Sequence, residues 1–176
     1  MMKELSNHLL RPLRASLLLL LLLPALHACG QESYEEMLDA LYSHTVPLVQ
    51  PAALSAMQDS SDVLLLDARE EGEYAVSHLD GAQWVGYDAF KKAMVKDLPR
   101  DQPVVVYCSV GYRSERIAEQ LQAMGFTQVY NLYGGIFEWK NQGLEVVAPS
   151  GAATDSVHVY NELWGQWLHN GIKVYD

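Results

Sequence analysis

Two continuous apolar segments constrain the fold of this chain more than any other feature. They are D-V-L-L-L-D at residues 62–67 and P-V-V-V-Y at residues 103–107, and neither alternates hydrophobic with polar residues. A strand with one face in water alternates, whereas a strand covered on both faces is apolar throughout. Both segments therefore predict buried strands of a mostly parallel sheet.

Helical patterns alternate with these strands. A helix is predicted over residues 114–124, because its apolar side chains fall on one stripe and Gly125 follows as a stop signal. A second helix is predicted over residues 87–98, ahead of Pro99. Strands that alternate with helices indicate an α/β fold with helices on both sides of the sheet.

The first 28 residues have the pattern of an export signal. A basic start is followed by an apolar stretch around Leu17–Leu23, which at about a dozen residues is shorter than the ~20 of a spanning helix. Leu26, Ala28 and Cys29 resemble the lipobox of bacterial lipoproteins, which implies that Cys29 becomes a lipidated N-terminus. Gln31 favours outer-membrane sorting by the same resemblance. We expect a protein anchored on the periplasmic side of the cell envelope; a soluble periplasmic protein is the alternative.

Charge and cysteine content exclude several classes of function. The 176 residues include 22 acidic and 12 basic side chains, a net charge of −10, which argues against nucleic-acid binding. Two cysteines form neither a disulfide scaffold nor a four-cysteine zinc site, and the six histidines are scattered, so no metal or cofactor is predicted. If Cys29 is lipidated, Cys108 has no disulfide partner and is either buried and inert or reactive.

The segment that carries chemistry begins where the second apolar strand ends. Cys108 opens the loop C-S-V-G-Y-R-S, residues 108–114, which runs into the predicted helix. Sites in open α/β sheets form at the carboxyl ends of strands. Backbone N–H groups that lead into a helix N-terminus favour an anion. We therefore expect this loop, with Gly111 permitting a tight turn and Arg113 nearby, to favour the Cys108 thiolate.

The length and sequence of this loop resemble those of a known family. Four residues separate Cys108 from Arg113, one fewer than in cysteine-dependent phosphatases, and a tighter loop suits a single added sulfur atom. The loop resembles the active-site loop of single-domain rhodaneses, which are sulfurtransferases. Further segments resemble the family in the correct order over about residues 46–147. They are L-L-L-D-A-R at 64–69, Glu73 with H-L-D-G-A at 78–82, and L-Y-G-G-I-F-E-W at 132–139 followed by Gly143.

The resemblance implies a rhodanese-like fold with a mostly parallel five-stranded central sheet flanked by helices on both faces. It also implies that the Cys108 thiolate takes a sulfane sulfur from a donor such as thiosulfate, and that the persulfide passes it to cyanide or a thiol. Many members that use thiosulfate carry a basic residue where this chain has Ser109. The loop residues expected to bind the persulfide are Ser109, Val110, Gly111, Tyr112, Arg113 and Ser114.

Residues outside the loop are expected to support it. Asp67 and Arg69, at the end of a neighbouring strand, are expected to reach the same rim, most simply as an ion pair that fixes loops. His78 is interpreted as structural, because a preformed thiolate needs no general base. Gly134–Gly135 should allow close approach of backbone to the loop, and Tyr112 should narrow the pocket entrance.

Two other functions are weighed against sulfur transfer. A rhodanese-like module without turnover would use Cys108 for redox sensing or sulfur binding, through a mixed disulfide or sulfenic acid. A phosphatase or arsenate reductase is disfavoured by the four-residue spacing. The expected partners are a small sulfur donor and a thiophilic acceptor, with no nucleic acid, and with membrane contact only through the lipid anchor. The sequence does not predict an oligomeric state.

The chain divides into four predicted parts. Residues 1–28 are the signal peptide, 29–45 a linker and helix, 46–147 the rhodanese domain, and 148–176 a C-terminal extension. The extension carries apolar residues at the spacing of one helix face. We expect an amphipathic helix that packs back onto the domain, with membrane-surface or partner contact as the alternative. Its face would comprise Tyr160, Leu163, Trp164, Trp167 and Leu168.

Overall fold

Five parallel strands form the central sheet of the computed structural model, which describes residues 33–60 and 62–175. Their spatial order is β1-β5-β4-β2-β3, so β4 lies in the middle, between β2 and β5. The predicted five-stranded parallel sheet is confirmed. The strands are β1 (Leu48–Val49), β2 (Leu64–Asp67), β3 (Gln83–Trp84), β4 (Val104–Tyr107) and β5 (Val129–Leu132).

Helices cover both faces of this sheet, as predicted. Because successive strand residues point to opposite faces, Val105 and Tyr107 of β4 pack with one set of helices, and Val104 and Val106 with another. Cys108 continues the second alternation and belongs to the second cluster. The helices are α1 (Tyr34–Leu41), α2 (Pro51–Ser60), α3 (Glu71–Val76), α4 (Tyr112–Ala123) and α5 (Gly135–Asn141).

The helix that follows the Cys108 loop begins earlier than predicted. It starts at Tyr112 rather than Ser114, with Gly111 as its N-cap. Ile117, Ala118 and Leu121 are buried against the sheet, which confirms the apolar stripe. The earlier start leaves only Ser109, Val110 and Gly111 between Cys108 and the first turn of α4.

The helix predicted over residues 87–98 was wrong. Only a short 3-10 helix forms there, at Lys92–Val95, and Val95 is its one fully buried residue. Phe90 and Met94 are half-buried. A helix is stabilised mainly by the apolar face that it packs, and this segment packs too little apolar surface to hold a longer one.

The C-terminal extension packs onto the domain as expected, but not as one long helix. The strands β6 (Val146–Val147) and β7 (Ala153–Thr154) pair antiparallel, and β8 (Ser156–His158) pairs parallel with β9 (Ile172–Val174). Between β8 and β9, only α6 (Glu162–Gly165) is helical.

The expected apolar face of the extension is divided between core and solvent. Leu168 is 1% exposed, whereas Leu163 is 67% exposed. Tyr160 has a φ of +65°, which is incompatible with a helix, and Asn161 caps α6 by accepting a hydrogen bond from the Trp164 N–H at 3.1 Å. Because β8 and this cap precede it, α6 begins only at Glu162. The five residues therefore do not share one helix face. Among the described residues, no helix is long and apolar enough to cross a membrane.

Candidate functional site

Cys108 lies at the carboxyl end of the central strand, on the wall of a cavity of about 410 Å³. The residue is only 1% exposed. Five loop residues line the cavity, namely Cys108, Ser109, Val110, Tyr112 and Arg113. Other parts of the chain contribute Leu41, Glu70, Tyr87, Asp88, Tyr160 and Trp164. The site therefore forms at the strand end where the sequence predicts it, and Tyr112 lies on its wall.

Hydrogen-bond donors converge on the sulfur of Cys108. The Gly111 N–H donates to Sγ at 3.1 Å, and the Ser114 hydroxyl lies 3.5 Å from it. The same hydroxyl lies 2.7 Å from Oδ1 of Asn131, so its single hydrogen serves one acceptor at a time. The N-terminus of α4 adds its partial positive charge, because first-turn N–H groups lack intrahelical partners. This arrangement stabilises negative charge on Cys108.

The turn at Gly111 is held by a tyrosine from outside the loop. Gly111 has a φ of +106°, and a Cβ there would overlap the Tyr42 hydroxyl. This hydroxyl donates to the Val110 carbonyl at 2.6 Å and accepts from the Gly134 N–H at 2.9 Å. Burial raises the pKa of Tyr42, so its phenol stays protonated and able to donate. The expected tight turn at Gly111 is confirmed.

The start of α5 supports the loop from behind. The Ile136 and Phe137 N–H groups donate to the carbonyls of Cys108 and Ser109, at 2.9 and 3.1 Å. Gly135 has a φ of +57°, and a Cβ there would overlap the Cys108 carbonyl oxygen. The expected close approach at the paired glycines is therefore confirmed.

Arg113 is engaged by a buried carboxylate rather than free in the cavity. Its two terminal nitrogens donate to the two oxygens of Glu73 at 2.7 and 2.8 Å. Ser109 completes the cluster, since its hydroxyl donates to Glu73 at 2.8 Å and accepts from Arg113 at 3.0 Å. Burial would raise the pKa of Glu73, but the hydrogen bonds and charge of Arg113 outweigh it and lower that pKa below its ordinary value. The cluster ties α3 to the Cys108 loop.

Asp67 and Arg69 form the expected ion pair, but they do not line the cavity. Both side chains are 0% exposed, and Arg69 also donates to the Ser77 carbonyl at 2.6 Å. Trp84 donates to the Arg69 carbonyl at 2.8 Å. The side chains of the pair therefore join the end of β2 to the end of α3, and the Arg69 backbone carbonyl adds a contact to β3, which supports a structural role.

His78 and Cys29 are the remaining residues with predicted roles. Nδ1 of His78 lies 3.1 Å from the Tyr74 carbonyl, and its ring stacks on Tyr74 at 4.0 Å, outside the cavity lining. This agrees with a structural role. Cys29 lies outside the described residues.

Sequence reasoning missed the pairing of Glu73 with Arg113 and two further residues, Tyr42 and Asn131. The pairing of Glu73 with Arg113 has no local signal, because 40 positions separate the two residues. The contact of Tyr42 with the loop also has no local signal in the sequence. Asn131 donates to the Gly111 carbonyl at 3.0 Å and does leave a trace, because an amide in the buried strand V-Y-N-L needs a hydrogen-bond partner.

Comparison with solved structures shows the same fold. A rhodanese-related protein from Thermoplasma volcanium superimposes with a TM-score of 0.52 and 26% identity, over 57% of this chain and 97% of that one. A thiosulfate sulfurtransferase from Pseudomonas aeruginosa superimposes with a TM-score of 0.54 and 22% identity, over 61% of this chain and 21% of that one.

Sequence comparison finds both a family and longer relatives. A tRNA uridine(34) hydroxylase of Escherichia fergusonii is 33% identical over 107 residues, 56% of this chain. The chain spans only 31% of that relative's length. The profile of the rhodanese-like domain matches residues 50–142, which include Cys108 and its loop. Because this match covers more than half of the 176 residues, the chain belongs to the rhodanese-like domain family.

Proposed function

We propose that the protein is a sulfurtransferase that carries sulfur as a persulfide on Cys108. The thiolate attacks the terminal sulfur of a sulfane donor, a new S–S bond forms at Sγ, and the donor's remainder leaves with the electron pair of the broken bond. With cyanide as acceptor, the outer sulfur departs as thiocyanate and the Cys108 thiolate is restored. Neither half-reaction needs a cofactor or an external oxidant.

One observation supports this proposal most strongly. Sγ of Cys108 lies beside the cavity with the Gly111 N–H at 3.1 Å and the start of α4 behind it. Oriented N–H groups of this kind stabilise an anion before and after the sulfur is transferred. The four-residue spacing between Cys108 and Arg113 suits a single added sulfur atom, and a thiosulfate sulfurtransferase from Pseudomonas aeruginosa has the same fold.

The hydroxylase relatives do not favour RNA as a substrate here. They act on a tRNA uridine, as their name states, but about two thirds of their length has no counterpart in this match. The chain carries a net charge of −10, which opposes binding to a phosphate backbone. A small-molecule reaction in the Cys108 cavity fits the chemistry better.

Steady-state assays test the proposal. Residues 29–176, the chain without its predicted signal peptide and hereafter the mature domain, are incubated with a panel of sulfane donors and cyanide, and thiocyanate is measured over many turnovers. We expect turnover with at least one donor and none with Cys108→Ser. A single oxidation of Cys108 by peroxide or disulfides, without thiocyanate from any donor, would instead support the redox-sensing module.

We also propose that Cys29 anchors the protein to the outer membrane from the periplasmic side. The support is the lipobox-like sequence Leu26–Cys29 after a short apolar stretch. Fractionation of cells that express the full chain tests it. Cys29→Ala should move the protein from the membrane to the soluble fraction, and membrane association that survives this change would contradict the anchor.

A further inference from the structure

The C-terminal extension forms part of the wall of the Cys108 cavity. Tyr160 and Trp164 line it, although both lie beyond residues 50–142, which match the rhodanese-like domain. Two of the aromatic residues on the cavity wall therefore come from the C-terminal extension, outside the matched domain.

The extension holds these two rings in defined places. Val157 and Val159, on either side of His158, are buried in the domain core, and Trp164 packs against the same core. The Asn161 N–H donates to the Val159 carbonyl at 2.7 Å across Tyr160, whose φ is +65°. A tight turn with positive φ at a bulky residue is uncommon and is found mostly at functional sites. Here it places Tyr160 at the cavity.

The wall of the cavity is mostly apolar. Leu41 lines it together with four rings, and we call these rings, of Tyr87, Tyr112, Tyr160 and Trp164, the aromatic collar. Aromatic surfaces of this kind bind apolar groups and the faces of other rings. A sulfate-like anion gains no favourable contact from such aromatic surfaces.

Charge at the cavity also opposes a dianion. Among the described residues that line it, Arg113 is the one cation, and both of its terminal nitrogens are held by Glu73. Glu70 and Asp88 add two carboxylates, and Glu70 lies 3.8 Å from Arg113. The net local charge is therefore negative before the Cys108 thiolate is counted, and it repels a second negative charge on a donor.

We infer that the sulfur donor of this site is an organic sulfane compound with an apolar group and at most one negative charge. Its apolar group contacts the aromatic collar while its terminal sulfur reaches Sγ of Cys108. Thiosulfate, small and doubly charged, is then a poor donor. This inference rests on the proposed sulfurtransferase function and specifies its substrate class.

Thiosulfonates provide the chemistry to test it. The thiolate forms a bond to the terminal sulfur, the bond from that sulfur to the sulfonyl group breaks, and a sulfinate leaves with the electron pair. Benzenethiosulfonate and methanethiosulfonate share this reaction and a single charge, and they differ in the apolar group. Thiosulfate undergoes the same step, carries two charges and releases sulfite.

The experiment measures single-turnover persulfide formation on the mature domain with each of the three donors. The ratio of rates for two donors is divided by the same ratio measured with a small free thiol. Differences in the intrinsic reactivity of the donors then cancel. We expect persulfide to form faster with benzenethiosulfonate than with methanethiosulfonate, by about ten- to a hundredfold more than the free thiol shows, because one ring is buried on the collar. Thiosulfate should be the slowest donor.

Variants locate the selectivity. Tyr160→Ala and Trp164→Leu should each lower the ratio of the benzenethiosulfonate rate to the methanethiosulfonate rate by about tenfold or less. Leu163→Ala is the matched control, because Leu163 lies on α6 beside Trp164, is 67% exposed and does not line the cavity. If the ratio is unchanged in both collar variants while persulfide still forms, the inference is overturned and the proposed function stands.

A charge variant provides an independent test that does not disturb packing. Asp88 is exposed, so Asp88→Asn should fold normally and raise the thiosulfate rate relative to both thiosulfonates. A thiosulfate rate that equals the benzenethiosulfonate rate in the unmodified protein would overturn the inference. Failure of every donor to place sulfur on Cys108 would overturn the proposed function and, with it, the inference.

Discussion

Two buried ion pairs in this protein share their chemistry and differ in what they face. In Asp67–Arg69 both side chains are 0% exposed, and the guanidinium also donates to the Ser77 carbonyl and lies 5.8 Å from the centre of the Tyr107 ring. In Glu73–Arg113 the carboxylate is 2% exposed, but the arginine is 19% exposed and lines the Cys108 cavity. One pair joins strands and a helix, whereas the other joins a helix to the reactive loop.

The difference shows how a carboxylate–guanidinium pair acquires a functional role. Both pairs are expensive to break, because either partner alone would be a buried, uncompensated charge. Only the second pair includes a residue of the Cys108 loop, Arg113, and Ser109 of the same loop bridges the two partners. Only the loss of this pair should therefore displace the groups around Cys108. Glu73 is in this sense a positioning residue, and Arg69 is a structural one.

The largest effect is expected for Arg69→Ala. It leaves the Asp67 carboxylate buried without its partner and should lower the free energy of unfolding by about 3–5 kcal/mol. Urea unfolding measures this. Lys96→Ala is the control, because the pair Lys96–Asp97 is solvent-exposed, at 67% and 89%, and should contribute no more than about 1 kcal/mol. Equal effects of the two substitutions would contradict the structural role of Arg69.

The next effect is expected for Glu73→Gln. The isosteric change removes the charge and replaces one acceptor oxygen by an NH2 group, so one hydrogen bond from Arg113 is lost and the other is weakened. It should lower the free energy of unfolding by about 1.5–3 kcal/mol. Persulfide formation at saturating benzenethiosulfonate should slow by about ten- to a hundredfold, because the loop shifts relative to Sγ. A full rate in the folded variant would show that this pair is as purely structural as Asp67–Arg69.

The pH dependence of stability should report the same carboxylate. The pKa of Glu73 is lower in the folded protein than in the unfolded chain, so its contribution is complete above the unfolded pKa of about 4.3 and is lost as pH falls through the folded value. The difference in unfolding free energy between the unmodified protein and Glu73→Gln should therefore shrink from pH 7 to pH 3. A constant difference across this range would contradict the assignment.

The smallest effect is expected for Ser109→Ala. It removes the hydroxyl that bridges Glu73 and Arg113 and should cost about 0.5–1.5 kcal/mol of unfolding free energy. Ser150→Ala, in an exposed turn, should change stability by less than about 0.5 kcal/mol. If Ser109→Ala matched this control, the hydroxyl would add nothing to the cluster.

The strand and loop around Cys108 were predictable because their signals are local. The run P-V-V-V-Y needs both faces covered, and the Cys108 loop follows it directly, so strand, turn and helix could be placed in order. Gly111 and Gly135 were predictable for the same reason, since each position requires a backbone that other residues rarely adopt.

The supporting contacts depend on distant parts of the chain and could not be predicted in this way. Tyr42 reaches Val110 across 68 positions, and nothing near either residue indicates that partner. In the extension, the helical spacing predicted the wrong structure, because β8 and the cap at Asn161 determine where α6 begins. Its aromatic residues followed a helical spacing, yet two of them line the Cys108 cavity.

The most direct test of sulfur transfer is to locate the sulfur on the protein. The mature domain is treated with benzenethiosulfonate, measured by intact-mass spectrometry, digested and sequenced by tandem mass spectrometry, before and after addition of cyanide. We predict one added sulfur atom per chain, on Cys108, that cyanide removes in equal amount as thiocyanate, and no addition in Cys108→Ser. Sulfur that fails to add to Cys108, or that adds and resists cyanide, would contradict a transferable persulfide at this site.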